Sequence, residues 1–116
     1  GFSGDMDHLK GLIKAAFNHK GFSLVDILQP CVSFNRINTY EWYKQRVYHI
    51  GPEYNPEDRT GAFGKALEWG DRIPLGIIYK NNRPILEERI PVIREAPLVK
   101  HSFDVSGIAA TLKEFY

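Results

Sequence analysis

The feature that most constrains the fold is an amphipathic segment followed directly by a short apolar segment between a glycine and a proline. Apolar residues recur at the spacing of one helical face, and they are Leu9, Leu12, Ile13, Ala16 and Phe17. The residues from Phe22 to Leu28 are mostly apolar on both alternating faces, as in a strand covered on both sides. This order predicts a core-facing helix over 5–20 and then a buried parallel strand, which is half of a βαβ unit in an α/β fold.

The ends of the first helix carry ordinary capping signals. Ser3 or Asp5 is placed to cap the N-terminus, and Gly21 lies where a helix commonly ends. Asp5, Asp7 and His8 together look like a metal-binding group. Acids in the first turn, however, are normal partners of the positive end of the helix dipole, so we assign this group no metal role.

Further elements are predicted downstream. Asn38 begins a short aromatic helix that ends before Gly51 and includes Tyr40, Trp42, Tyr43 and Val47. The run NPEDR, with Asn55 as the cap, begins a helix that reaches about Trp69. Its predicted inward residues are Phe63, Ala66 and Leu67.

The C-terminal part is predicted to be less regular. Residues 73–80 form a strand, and 83–87 pair back as a hairpin at an edge position, since Pro74 and Pro84 cannot donate to a ladder. Prolines at 91 and 97 predict an extended arm over 89–97. A last short helix from Ser106 is expected to bury Ile108, Leu112 and Phe115.

Composition narrows the class of protein. With 15 Lys and Arg against 14 Asp and Glu, the charge predicts neither nucleic acid nor an anionic membrane as a partner. No apolar run approaches the ~20 residues of a membrane span. The single cysteine cannot close an internal disulfide, which favours a reducing compartment, and we expect the cytoplasm.

Cys31 follows the predicted strand and the Gln29-Pro30 step. A lone cysteine is commonly a small buried apolar residue, but ligands of open α/β sheets bind beyond the carboxyl ends of the strands. A thiolate there is either a nucleophile or an iron ligand. No motif links it to a base among His8, His19, His49 and His101. A metal site would need further ligands from elsewhere.

Two other patterns carry no chemistry. The glycines of GFSG and GAFG lack the lysine and hydroxyl residue of a phosphate-binding loop and the spacing of a dinucleotide fingerprint. The aromatic residues of 40–48 have no basic cluster beside them, so a core or interface role is favoured over base stacking.

Seven phrases, in their order, resemble the β subunit of the 2-oxoacid:ferredoxin oxidoreductases: GFSGD, HLKGLIKAAFNHKGF, LVDILQPCVSFN, YEWYKQRVY, NPEDR, ALEWGDRIPLGIIY and RPILEE. They extend from Gly1 to Glu88, and QPCVSFN and YEWYKQRVY are the most specific. The resemblance implies the C-terminal portion of a thiamine diphosphate-binding module. Residues 1–35 would be its last helix and strand, and 36–116 a family-specific extension of two short helices, an edge strand or hairpin and an extended arm, in a single structural unit.

The resemblance also implies a role for the thiol. In family members in which the β subunit has its own cluster, the cysteine of the QPCVSFN-like phrase is one ligand of a 4Fe-4S cluster, and Cys31 matches it. The other cluster cysteines and the Gly-Asp-Gly motif for thiamine diphosphate and magnesium have no counterpart here. No catalytic or cofactor-binding residues are therefore assigned, and we expect the chain alone to bind no cofactor tightly and to be inactive.

The implied reaction is oxidative decarboxylation of a 2-oxo acid to an acyl-CoA, with electrons passing through the cluster to ferredoxin. Expected partners are the rest of the β subunit, the α subunit, ferredoxin, coenzyme A and a 2-oxo acid, without nucleic acid or membrane. The alternative function is a non-catalytic assembly domain whose aromatic helix and proline-rich arm bind a partner subunit.

Overall fold

A computed structural model describes residues 1–102 and 106–115 of the chain. The chain divides into two compact units, Gly1–Arg83 and Pro84–Tyr116. The resemblance predicted a different division, with residues 1–35 ending the thiamine diphosphate-binding module and 36–116 forming a family-specific extension of the same structural unit. That division stays a prediction. No helix among the described residues has both the length and the apolar character needed to cross a membrane.

The first unit contains the elements α1 Met6–Asn18, α2 Tyr40–Lys44, β1 Val47–His49, α3 Arg59–Ala66 and β2 Ile73–Leu75. The predicted first helix is confirmed as α1. Its N-cap is Asp5, whose carboxylate accepts a hydrogen bond from the backbone N–H of His8 at 3.2 Å. Gly21 follows the helix with a φ of +104°, a conformation that glycine adopts without steric cost.

The two strands pair in parallel, with Val47 opposite Ile73 and His49 opposite Leu75. Parallel strands need a long crossover, and here residues 50–72 supply it with α3 in its middle. β1, α3 and β2 therefore form a complete βαβ unit. The predicted α/β class is confirmed, although this unit lies further along the chain than the helix and strand that suggested it.

The predicted buried strand at 22–28 differs from the structure. Among these residues only Leu28 pairs, through a single parallel bridge to Phe2. Phe22 and Leu24 are 85% and 82% exposed, so the prediction that both faces of this segment are covered is wrong for the described chain. An apolar segment becomes a buried strand only when neighbours flank it, and Phe2 provides one neighbour at one position.

The apolar stripe of α1 is covered only near its start. Leu9 is buried, Leu12 and Ala16 are half-buried, and Ile13 and Phe17 are exposed. The expected core-facing stripe is therefore wrong for its C-terminal half. The first turns of the helix pack, whereas the last turns present apolar side chains to solvent.

The core of the first unit is small. Its buried apolar residues are Phe2, Leu9, Ala62, Ile73 and Leu75. The Phe2 ring lies 5.9 Å from the Tyr40 ring and 5.7 Å from the Tyr43 ring, between centroids. The predicted aromatic helix thus exists as α2 and packs on a neighbour, although its cap is Thr39 and not Asn38, and Val47 belongs to β1 instead.

The helix predicted to begin at Asn55 begins later, with Asp58 as its N-cap. Asn55 instead forms a local turn, because its side chain accepts a hydrogen bond from the Glu57 N–H at 3.0 Å. The predicted inward face is also wrong. Phe63 is 70% exposed while Ala62 is buried, since the face toward the strands is the one that carries Lys65.

The structure corrects the predicted C-terminal hairpin. β2 ends at Leu75, and 83–87 do not pair back within the described residues, although β2 is an edge strand of its two-stranded sheet. Elements of the second unit are the helices α4 Leu86–Arg89, α5 Pro91–Glu95 and α6 Ser106–Leu112, with a 3₁₀ turn at Leu98–Lys100.

The predicted extended arm over 89–97 is also wrong. Pro91 occupies the first position of α5, where the missing N–H costs nothing, so this proline begins a helix rather than preventing one. The last predicted helix is confirmed as α6. The burial expected for it is wrong, because Ile108, Leu112 and Phe115 are all exposed.

The burial pattern generates a stability prediction. We expect Leu75→Ala to lower the free energy of unfolding by about 2 to 5 kcal/mol, because this side chain is 1% exposed and its removal leaves a cavity. The same change at Leu24, which is 82% exposed, should cost less than about 0.5 kcal/mol. Urea unfolding of the chain measures both, and equal losses would contradict the assigned core.

Candidate functional site

Cys31 lies at the surface of the first unit. The residue is exposed, whereas Pro30 immediately before it is buried. Its carbonyl accepts a hydrogen bond from the Asn35 N–H at 2.9 Å, which closes a turn over the intervening residues. The interpretation of Cys31 as a small buried apolar residue is therefore wrong, and the thiol is accessible from outside the chain.

The loop after Cys31 is organised by Asn35. The side-chain oxygen of Asn35 accepts hydrogen bonds from the N–H groups of Ile37 and Asn38, both at 3.0 Å. Its amide nitrogen donates to the side-chain oxygen of Asn38 at 3.1 Å. Together with the turn to Cys31, these bonds give the exposed segment a defined backbone path. The Asn that ends QPCVSFN thus has a structural role that the letters alone do not reveal.

A separate group of potential metal ligands comprises Asp5, His8 and His49, and it is the one group of three or more such residues found within 1–102 and 106–115. Cys31 is not part of it. The sequence drew attention to Asp5, Asp7 and His8, of which Asp7 lies outside the group. His49 was missed as a ligand because nothing local to it indicates a contact with residues 5–8.

The geometry of this group is compact. The His49 Nε2 lies 2.7 Å from an Asp5 carboxylate oxygen, and the His8 and His49 rings stack with centroids 4.0 Å apart. The three ligand atoms all lie within 4.8 Å of one another. β1 positions His49, and the N-cap of α1 positions Asp5, so the two regular elements meet at this point.

The electrostatics of the group follow from these contacts. The hydrogen bond from His49, and then that from the His8 N–H, lower the pKa of Asp5 below its ordinary value. Desolvation, followed by the nearby His49, lowers the pKa of His8. The Nδ1 of His8 is buried and has no hydrogen-bond partner among the described residues. Asp5 and His49, though not His8, line an open cleft of about 600 Å³ together with Phe2 and Lys44.

A second polar cluster joins α3 to β1. The Lys65 ammonium donates to the Glu68 carboxylate at 2.6 Å and to the Tyr48 hydroxyl at 3.1 Å. The Tyr48 hydroxyl donates to the same carboxylate, and the Arg72 guanidinium lies 4.5 Å from the centre of the Tyr48 ring. The hydrogen bond to Lys65 lowers the pKa of Glu68, and the reciprocal bond raises the pKa of Lys65. Since these groups satisfy one another, the cluster is structural.

A family comparison decides which protein family the chain represents. The family model for the C-terminal region of the pyruvate ferredoxin oxidoreductase beta subunit matches residues 31–95, more than half of the chain. The chain belongs to this family. The matched range begins at Cys31, and it includes His49 but neither Asp5 nor His8.

Individual relatives agree with the family. The chain is 48% identical over 102 residues to a 2-oxoacid:ferredoxin oxidoreductase subunit beta from Sulfolobus sp., covering 78% of this chain and 33% of that protein. It is 40% identical to subunit beta of 2-oxoacid:ferredoxin oxidoreductase 2 from Aeropyrum pernix, covering 92% of this chain and 40% of the relative. The chain thus spans about a third of the length of the curated relatives it matches.

A solved structure supports the fold as well. The chain is similar, with a TM-score of 0.77 and 31% identity, to a 2-oxoglutarate:ferredoxin oxidoreductase from Magnetococcus marinus with 2-oxoglutarate, coenzyme A and succinyl-CoA bound. The match covers 95% of this chain and 38% of the other. The resemblance to 2-oxoacid:ferredoxin oxidoreductase β subunits is therefore confirmed. The chain corresponds to part of the length of such a subunit.

The lowered pKa of His8 generates a prediction on pH. A histidine whose pKa is lower in the folded state binds fewer protons there than when unfolded, so stability falls as the pH drops below about 6.5, its ordinary value. We expect the loss of unfolding free energy between pH 7.5 and 5.5 to be smaller in His8→Gln than in the unaltered chain.

The matched control is His19→Gln, at the other end of α1. It should leave the pH dependence of the unaltered chain in place. Denaturant unfolding at the two pH values measures the difference, and an unchanged slope in His8→Gln would contradict the assignment.

Proposed function

We propose that the chain is the C-terminal part of a β subunit in an enzyme that oxidatively decarboxylates a 2-oxo acid to an acyl-CoA and passes the electrons to ferredoxin. The observation that supports this most directly is the family match beginning at Cys31. The names of the relatives support the 2-oxo acid class of substrate and ferredoxin as the acceptor. The ligands named for the Magnetococcus structure support coenzyme A as the acyl acceptor.

Cys31 is proposed to donate one thiolate to a 4Fe-4S cluster. Such clusters need four ligands, usually cysteines, and this chain has one, so the remaining ligands come from the rest of the enzyme. Two observations support the fit: the thiol is exposed, and the turn to Asn35 fixes the backbone that presents it. When bound, the cluster supplies one-electron transfer, and the chain contributes the position of one of its ligands.

Thiamine diphosphate and magnesium belong, in this proposal, to the part of the β subunit that the chain does not span. The chain lacks the Gly-Asp-Gly motif, since Gly4-Asp5 continues into Met6 and Gly70-Asp71 into Arg72. No residue of this chain is therefore assigned to either group. The cytoplasm is the proposed compartment, because the exposed lone thiol is suited to reducing conditions.

Exposed apolar side chains in the first unit are consistent with a chain that packs against further protein. Large apolar residues between positions 13 and 37 are exposed: Ile13, Phe17, Phe22, Leu24, Val32, Phe34 and Ile37. Exposed apolar side chains that lie together mark protein–protein interaction sites. We propose that the rest of the β subunit covers these side chains, and that the α subunit then completes the assembly.

The cluster role is tested by Cys31→Ser in the complete enzyme. A serine hydroxyl is a poor iron ligand compared with a thiolate, so we expect loss of cluster iron from the β subunit and loss of ferredoxin reduction. Iron analysis and electron paramagnetic resonance measure the first effect, and a ferredoxin reduction assay measures the second. Ser33→Ala, two residues further along the same exposed loop, should change neither.

The rival function is an assembly domain without a redox role. In that case Cys31→Ser would keep full iron content and electron transfer while the complex still assembled. Analytical ultracentrifugation first shows that the variant complex is assembled, and its iron content then separates the two functions, because the cluster role predicts an assembled complex that has lost iron.

Cofactor binding provides another test. We expect the isolated 116-residue chain to bind no thiamine diphosphate at stoichiometric levels, with or without magnesium, because the diphosphate-binding motif lies outside it. Isothermal titration of the chain, with the complete β subunit as positive control, measures this. Binding of one cofactor per chain would contradict the proposed division of the site.

A further inference from the structure

We propose that Asp5, His8 and His49 form a binding site for one divalent transition-metal ion such as Zn²⁺. Two imidazoles and one carboxylate are a ligand set that zinc commonly takes. The ligands come from separate parts of the chain, since Asp5 and His49 are 44 positions apart in the sequence. The site involves neither Cys31 nor the iron-sulfur chemistry proposed above, so the two proposals stand or fall separately.

The spacing of the ligand atoms is close to what a metal requires. Bond lengths of about 2.0 to 2.2 Å in a tetrahedral zinc site place ligand atoms about 3.3 Å apart. The observed separations start at 2.7 Å, between Asp5 and His49, and all lie within 4.8 Å. The carboxylate and the His49 imidazole must separate slightly, as happens when a metal ion replaces the proton of their hydrogen bond.

Metal binding requires a side-chain rotation. The two rings are nearly parallel, at 15°, so their in-plane lone pairs do not yet converge. The His49 side chain is 57% exposed and borders the open cleft, which gives it room to turn toward a shared ion. Stacked imidazoles at 4.0 Å would repel each other if both were protonated, whereas a metal ion binds both in the neutral form.

The unpaired nitrogen of His8 is a separate observation that points to a ligand. Its Nδ1 is buried and lacks a hydrogen-bond partner among the described residues. Buried polar atoms in native structures are normally paired, so an exception calls for a missing water or ion. A metal ion bound at this nitrogen would satisfy it.

The protonation states are those that a metal needs. Asp5 and His8 both have a lowered pKa, which favours the carboxylate and the neutral imidazole near neutral pH. Three protein ligands leave a fourth position to water, and the open cleft of about 600 Å³ admits it. A bound ion would join the first turn of α1 to β1 and so stabilise the first unit.

The test is a zinc titration of the untagged 116-residue chain in competition with a chromophoric chelator. We expect one Zn²⁺ per chain and an upward shift of the thermal unfolding midpoint by several degrees. His8→Gln and His49→Gln should each weaken zinc binding by more than ~10-fold. Loss of an outer-sphere partner alone typically costs that much, and loss of a direct ligand costs more. His19→Gln and His101→Gln are matched controls and should bind as the unaltered chain does.

A second measurement needs no variant and so does not depend on variants folding. Co²⁺ bound to the unaltered chain should show the intense visible bands of a four-coordinate nitrogen and oxygen site.

A third measurement uses the complete enzyme. Its zinc content should fall in His49→Gln while cluster iron stays constant, a result that failure of the cluster proposal would not mimic. Absent or non-stoichiometric binding by the unaltered chain, or equal binding by the His8→Gln, His49→Gln double variant, would overturn the proposal.

Discussion

Phe2 is the side chain on which the arrangement of the first unit depends. It is 1% exposed, its ring contacts Tyr40 and Tyr43 of α2, and its backbone bridges to Leu28. Burying a phenylalanine stabilises a fold by about 1.5 to 3 kcal/mol, a large share of the stability of a small core. Because Phe2 lies just before the N-cap of α1, its burial also fixes where that helix begins. The bridge to Leu28 in turn leads the chain through buried Pro30 to Cys31.

Local signals predicted the elements whose causes are local. α1 and α6 depend on apolar spacing and flanking residues, and both exist close to their predicted bounds. The aromatic helix α2 also exists, but its cap lies one residue later than predicted and it ends at Lys44, well before Gly51. The failures share a different cause. A strand at 22–28 would be covered only if other elements packed on both of its faces. Pro91 begins a helix because it occupies the first helical position. Neither condition can be read from a short window of sequence.

The same division applies to the candidate sites. Cys31 could be singled out from its place after a predicted strand and from the family-like phrase QPCVSFN around it, but only the structure shows that it is exposed. Asp5 and His8 were visible as a pair, but ordinary capping explains them equally well, and the N-cap hydrogen bond shows that this explanation is also true. His49, at the end of β1, joins them through a contact with Asp5 across 44 positions of sequence, which no local pattern indicates.

The two sites differ in how much of each the chain supplies. Cys31, the proposed cluster ligand, lies on an exposed loop, and in that proposal the other ligands come from protein beyond the chain. Asp5, His8 and His49 are already gathered within one unit by backbone that the unit itself stabilises. Preorganised ligands lose little conformational entropy when they bind an ion, whereas an incomplete ligand set binds only after the missing ligands have been supplied by assembly. If both proposals hold, assembly of the complete enzyme controls iron binding at Cys31, whereas ion binding near α1 is largely independent of assembly.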